Sequence, residues 1–199
     1  MDRLLATINY CLGSLSETYR AVERRRYTDT QSARISVIHT EDDAPATSID
    51  IKIKSVKSSR EYYYGEVVFR GVMVTEILAD KISVLSGGKI FRRVKDLLDV
   101  YALSHCVEIR VADIIDTCEK EGRSLSFFNE FLDRKTDLEH AYNRLQRTRG
   151  KPAFEEIYSY MASFLRPFIE RSSEDLAWNS LDRVWAKGDR HSRKRAADR

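Results

Sequence analysis

The feature that most constrains this chain is a change of hydrophobic period near residue 73. Before it, apolar residues alternate as in strands; after it, they recur at helical spacing. In Ser48-Ile49-Asp50-Ile51-Lys52-Ile53-Lys54 the alternation is strict, and Ser36-Val37-Ile38 marks a neighbouring strand. Between them, Thr40 to Ala46 carries acidic residues and Pro45 and reads as a hairpin loop. A β-rich stretch runs from Tyr62 to Val74, with bends expected at Gly65 and Gly71. Ahead of these strands, Leu4, Leu5, Ile8, Leu12 and Leu15 predict a helix from Asp2 to about Glu17.

From Val74 the pattern is helical. Helices are expected over 74–86, stopped by Gly87-Gly88, over 91–104, and over 111–121, closed by Gly122. Further helices are expected over 125–132 and 136–147, and one that opens at Pro152 and kinks or ends at Pro167. A last one, capped by Ser173, is expected to run through Trp185. The fold class is therefore α+β, a sheet portion followed by a C-terminal helical bundle. Its expected divisions are 1–73, 74–187 and a basic disordered tail, 188–199.

Charge adds little to this until it is placed. The 199 residues carry a net +3, but residues 1–187 hold 29 basic and 29 acidic residues, so the excess sits in the tail. No run of 18 apolar residues is present, so a transmembrane helix is excluded. The N-terminus lacks the apolar core of a secretory signal. Cys11, Cys106 and Cys118 lack metal-ligand spacing and read as free thiols, which fits a cytoplasmic location. No P-loop, dinucleotide fingerprint or zinc-protease motif occurs, and the four histidines are scattered. Arg24-Arg25-Arg26 suits either a solvated face or a phosphate track.

Three places break the local pattern. Ile49, Ile51 and Ile53 are expected to face the core, leaving Asp50 on the opposite face of a strand, where aspartate is disfavoured. Either it pairs with a cross-strand cation or it is a carboxylate held rigidly for a divalent metal. Lys81 falls within or beside the buried stripe of Ile77, Leu78, Ile82 and Leu85. It either snorkels or brings its ammonium to phosphate oxygens. Phe91, Val94, Leu98 and Tyr101 are the expected core face of the next helix, with Arg92, Asp96 and Asp99 as a charged stripe beside it. That stripe is either an intrahelical ladder or a site in which Asp96 orients Lys81 while Arg92 and Arg93 meet phosphates.

Gly71-Val-Met-Val-Thr-Glu-Ile-Leu-Ala-Asp-Lys81, followed by Phe91-Arg-Arg-Val-Lys-Asp96-Leu-Leu-Asp99-Val-Tyr101, resembles the core motif of the AbiEii/MenT nucleotidyltransferase-like toxins. The strand bearing Asp50 is similar to the one that carries a third metal-binding acid in that family. The likeness spans roughly residues 15–170. It implies a polymerase-β-like nucleotidyltransferase sheet and the toxin of a toxin–antitoxin system. Such a toxin transfers nucleotides from an NTP, with Mg²⁺, to the 3′ acceptor end of tRNA and blocks translation; a cognate antitoxin restrains it.

Under the resemblance, Asp50, Lys81 and Asp96 are the catalytic residues, with Asp50 at the metal. Arg92, Arg93 and Asp99 support substrate and phosphate binding. The family's Gly-Ser and Asp-x-Asp strands would precede Met1, and Lys52 replaces the second acid after Asp50. The chain is thus expected to be one catalytic subelement short, and the alternative is a catalytically inactive relative that binds protein or RNA. Replacing Lys81 or Asp96 is expected to abolish toxicity without unfolding.

Overall fold

A computed structural model describes residues 2–29, 32–52, 59–145 and 151–188. Among them lie seven helices and eight strands, an α+β arrangement in two compact units, Met1–Lys57 and Ser58–Arg199. The expected basic tail lies outside the described residues from residue 189 onward.

In the first unit, helix α1 (Asp2–Leu15) precedes an antiparallel sheet of β1 (Tyr19–Tyr27), β2 (Ser32–His39) and β3 (Pro45–Lys52), ordered β1-β2-β3. Helix α1 packs on β1, and its Asn9 joins the strand through its side chain. Asn9 Nδ2 donates to Ala21 O at 3.0 Å, and Ala21 N donates to Asn9 Oδ1 at 2.7 Å. Ala33, Ile35 and Val37 alternate onto the buried face. An irregularity in register between Val37 and Ile38 resets that alternation, so Ile38 is buried as well. Strand β1 escaped the sequence reading because Arg24-Arg25-Arg26 interrupts its pattern, and it too is irregular there, between Glu23 and Arg25.

Strand β3 corrects one expectation. Ile49 pairs with Ile35 and Ile51 with Ala33, so both take the core-side face. Yet Ile49 is 39% exposed and Ile51 only half-buried. The strand is the sheet edge farthest from β1, on which α1 packs. Ile53 and Lys54 lie outside the described residues.

The second unit begins with a hairpin of β4 (Ser59–Tyr64) and β5 (Val67–Val72), turned at Gly65 with φ +59°. This hairpin falls after the division at 57/58, whereas the sequence reading grouped it with the first sheet. Gly71 is a paired strand residue and not a bend. A β-carbon there would approach the Tyr62 ring to 3.0 Å, and that ring stacks on Phe69.

Helices α2 (Val74–Leu85), α3 (Lys95–Cys106), α4 (Val111–Lys120), α5 (Asn129–Asp133), α6 (Lys135–Asn143) and α7 (Phe154–Ile169) follow. Leu78, Ile82, Leu97, Ile114, Phe131 and Met161 are fully buried in their shared core. Helix α3 starts four residues later than expected, because the chain first turns through Lys89, whose carbonyl accepts from Arg92 N and Arg93 N. Its buried face is Leu97, Val100 and Ser104, with Phe91, Leu98 and Tyr101 only partly covered. The expected helix over 125–132 shrinks to α5. Phe128 before it is buried with φ +58°, which a helix does not accommodate. Pro167 ends α7 only two residues later.

No helix runs from Ser173. Strands β6 (Ile109–Arg110), β7 (Leu176–Asn179) and β8 (Val184–Lys187) form an antiparallel sheet instead. The side chain of Asn179 accepts from Leu181 N and Asp182 N, making the turn. Trp178 and Trp185 face each other across the strands at 5.2 Å. Their indole groups donate to Ser104 O at 2.9 Å and Phe164 O at 3.0 Å, tying the sheet to α3 and α7. Trp178 is 1% exposed. Trp178→Ala is expected to lower the free energy of unfolding by about 3–5 kcal/mol, read from urea denaturation.

Candidate functional site

Helix α2 brings Lys81 to the surface edge of its buried stripe, and α3 brings Asp96 and Asp99 to meet it. The Lys81 ammonium donates to Asp96 Oδ1 at 3.0 Å and also to Asp99 Oδ2. Asp96 is fully buried, the Lys81 side chain is 15% exposed, and Asp99 is 45% exposed. The other Asp96 oxygen lies 2.8 Å from Arg93 Nε, close enough for an ion pair but not aligned as a hydrogen bond. Burial pulls the Lys81 ammonium down, but its hydrogen bonds to Asp99 and Asp96 and their charges outweigh that and raise its pKa. The lysine therefore stays charged at neutral pH, with one buried and one surface carboxylate as partners.

Arg93 carries the network further. Its Nη2 donates to Asp80 Oδ2 at 3.1 Å, and Arg123 Nη1 stands 3.1 Å from Asp80 Oδ1. Asp80 and Arg123 were not legible as site residues. Asp80 stood next to Lys81 in the motif without a sign of its role. Arg123 lies 30 residues beyond Arg93, just past the stop of α4, with no spacing signal.

The sequence-predicted residues thus separate into groups. Lys81, Arg93, Asp96 and Asp99 come together. Arg92 does not: it precedes α3, is exposed, and makes no ion pair among the described residues, so the ladder reading of the Arg92–Asp96–Asp99 stripe is not realised there. Arg93 takes its place. Asp50 belongs to the first unit, where its carboxylate takes a two-pronged bond from Arg34 directly across the sheet. Arg34 Nε donates to Oδ1 at 2.7 Å and Nη2 to Oδ2 at 3.0 Å. Of the two readings of Asp50, the geometry realises the cross-strand ion pair.

A Mg²⁺ ion needs several oxygen ligands in near-octahedral array. Among the described residues no group of three or more histidine, cysteine, aspartate and glutamate side chains could hold a metal. Asp50 is engaged by Arg34, and Asp96 and Asp99 by the Lys81 ammonium. As arranged, these acids do not fit the ion. Compared with known proteins, the chain matches no family model, no curated protein and no solved structure. Among the described residues no helix is long and apolar enough to cross a membrane.

The burial of Asp96 corrects the expectation that its loss would leave folding intact. Removing it strands Lys81 and Arg93 without their buried counter-ion. Asp96→Ala is expected to cost about 3–5 kcal/mol of stability, whereas Asp99→Asn, at the exposed end, should cost about 1 kcal/mol or less. Paired urea unfolding curves check the difference.

Proposed function

We propose that the chain is a cytoplasmic nucleotidyltransferase-like toxin of a toxin–antitoxin system. It transfers nucleotides from an NTP to the 3′ end of tRNA, blocks translation, and is restrained by an antitoxin protein. In this reading the α+β fold is a partial polymerase-β-like nucleotidyltransferase sheet with a helical bundle. The observation that carries the reading is the convergence of Lys81, Asp96 and Asp99 with Arg93, because those residues are polar positions of the motif, and Asp96 and Asp99 lie 15 and 18 residues from Lys81 in sequence.

The unequal burial of the two aspartates gives the cluster a working direction. Asp96 holds the ammonium from inside; Asp99 covers it from the solvent side. A phosphate oxygen that displaces Asp99 meets a lysine already oriented and charged, with Arg93 beside it. Phosphoryl-type transfer depends mostly on such positioning and charge stabilisation. The described acids do not assemble a ligand set for Mg²⁺.

The same ion pairs favour a second reading, a catalytically inactive relative that binds RNA or protein. Asp50, Asp96 and Asp99 are all engaged by cations of the chain itself. One assay separates the two. Purified protein incubated with radiolabelled NTPs, Mg²⁺ and total tRNA should label tRNA at the 3′ end. Lys81→Gln, checked as folded by its tryptophan fluorescence, should reduce labelling by roughly a hundredfold. Unlabelled tRNA with the unsubstituted protein, or full activity in Lys81→Gln, contradicts the transfer reading.

A further inference from the structure

Beside the Lys81 cluster, and not through it, α2 presents another stripe. Asp80, Ser83 and Val84, followed by Gly87 just past the end of the helix, form one wall of a cleft of about 410 Å³. Gly88, Lys89, Arg93, Arg123, Ser124 and Ser126 supply the rest. Lys81 does not line it.

Three cations, Lys89 and Arg93 from the turn before α3 and Arg123 from beyond α4, converge on this cleft against a single lining carboxylate, Asp80. Their partners do not exhaust them. Lys89 is exposed and has no ion-pair partner among the described residues. Arg123 Nη1 is buried and finds no aligned acceptor, although Asp80 Oδ1 is 3.1 Å away; Glu121 reaches Arg123 Nη2 only at 4.0 Å. A buried guanidinium donor without an acceptor is uncommon in a native fold and marks a place for an absent one. The backbone supports the same conclusion. Among the described residues the amides of Gly88 and Lys89 donate to no backbone carbonyl, which leaves them available to an acceptor. Glu130 lies near Gly88, 3.5 Å from where its β-carbon would stand, but is not part of the lining.

From the unpaired Lys89 and the buried Arg123 donor, which is ion-paired to Asp80 but lacks an aligned acceptor, we infer that this cleft binds the oligophosphate group of a small molecule. The recess favours a compact oligophosphate over a polynucleotide backbone. Its cations meet within one cleft; a nucleic-acid track spreads them along a surface. The inference does not rest on the transfer reading. If transfer holds, the shared Arg93 connects this cleft to the Lys81 cluster.

Calorimetric titration of the full chain with sodium tripolyphosphate, at physiological ionic strength and without RNA, tests it. Saturable binding to one site is expected. Lys89→Ala, at an exposed unpaired position, should weaken it about tenfold, and Lys89→Glu should abolish it. Arg144→Ala, an exposed charge away from the cleft, should leave it unchanged. No saturable heat, equal affinity in Lys89→Ala, or equal weakening by Arg144→Ala overturns the proposal. Tighter binding of a short 5′-hydroxyl single-stranded RNA at the same site also overturns it. Because no acceptor is present, tripolyphosphate binding in a protein that fails to label tRNA keeps the cleft and removes only the transfer reading.

Discussion

A carboxylate sealed from solvent costs several kcal/mol to desolvate unless charge and hydrogen bonds answer it. Asp96 is sealed in this way, and much of the polar arrangement of the second unit answers it. Lys81 reaches it from α2, and Arg93 reaches it from the turn before α3. Each of these cations then needs a second anion. Lys81 takes Asp99 at the surface, and Arg93 takes Asp80, which in turn draws Arg123 from beyond α4. Around this thread, Leu78, Leu97 and Ile114 are packed without exposure.

The arrangement links stability to function through the exposure of its members. Asp96 is structural in the sense that the fold cannot lose it cheaply, yet its position also sets where the Lys81 ammonium stands. Asp99, exposed on the same lysine, is the member a ligand can replace without opening the core. Arg93 belongs at once to this cluster and to the neighbouring cleft, so a ligand in one alters the charge felt in the other. At protein-like dielectric such neighbouring charges interact by a few kcal/mol at contact distance.

How much was legible in the sequence depended on whether one element or two carried the signal. The 3.6-residue period of α2 and the Gly87-Gly88 stop lie within one element, and the helix falls where it was expected. Lys81, Asp96 and Asp99 were legible too, because the motif brackets them. The edge strand β3 shows the limit of alternation: it places Ile49 on the core-side face but says nothing of whether a helix covers that edge. The Trp178–Trp185 hairpin was misread because Trp178, Leu181 and Trp185 mimic a helical face, while Leu181 sits exposed at the turn. Asn179 and Asp182 were the turn signal that should have outweighed that spacing. Arg123 and Arg34 could not be found from spacing, since each acquires its role only when another element folds against it.

The polar arrangement of the second unit depends on Lys81 and Asp96 acting as a coupled pair. A double-mutant cycle with Lys81→Met, Asp96→Leu and the combined variant measures that coupling directly, free of the penalty that either single change incurs. The predicted result is a coupling free energy of about 2 kcal/mol or more, with the double variant more stable than the sum of the singles implies. Additivity within about 0.5 kcal/mol would contradict it and leave Lys81 and Asp96 energetically independent despite their contact.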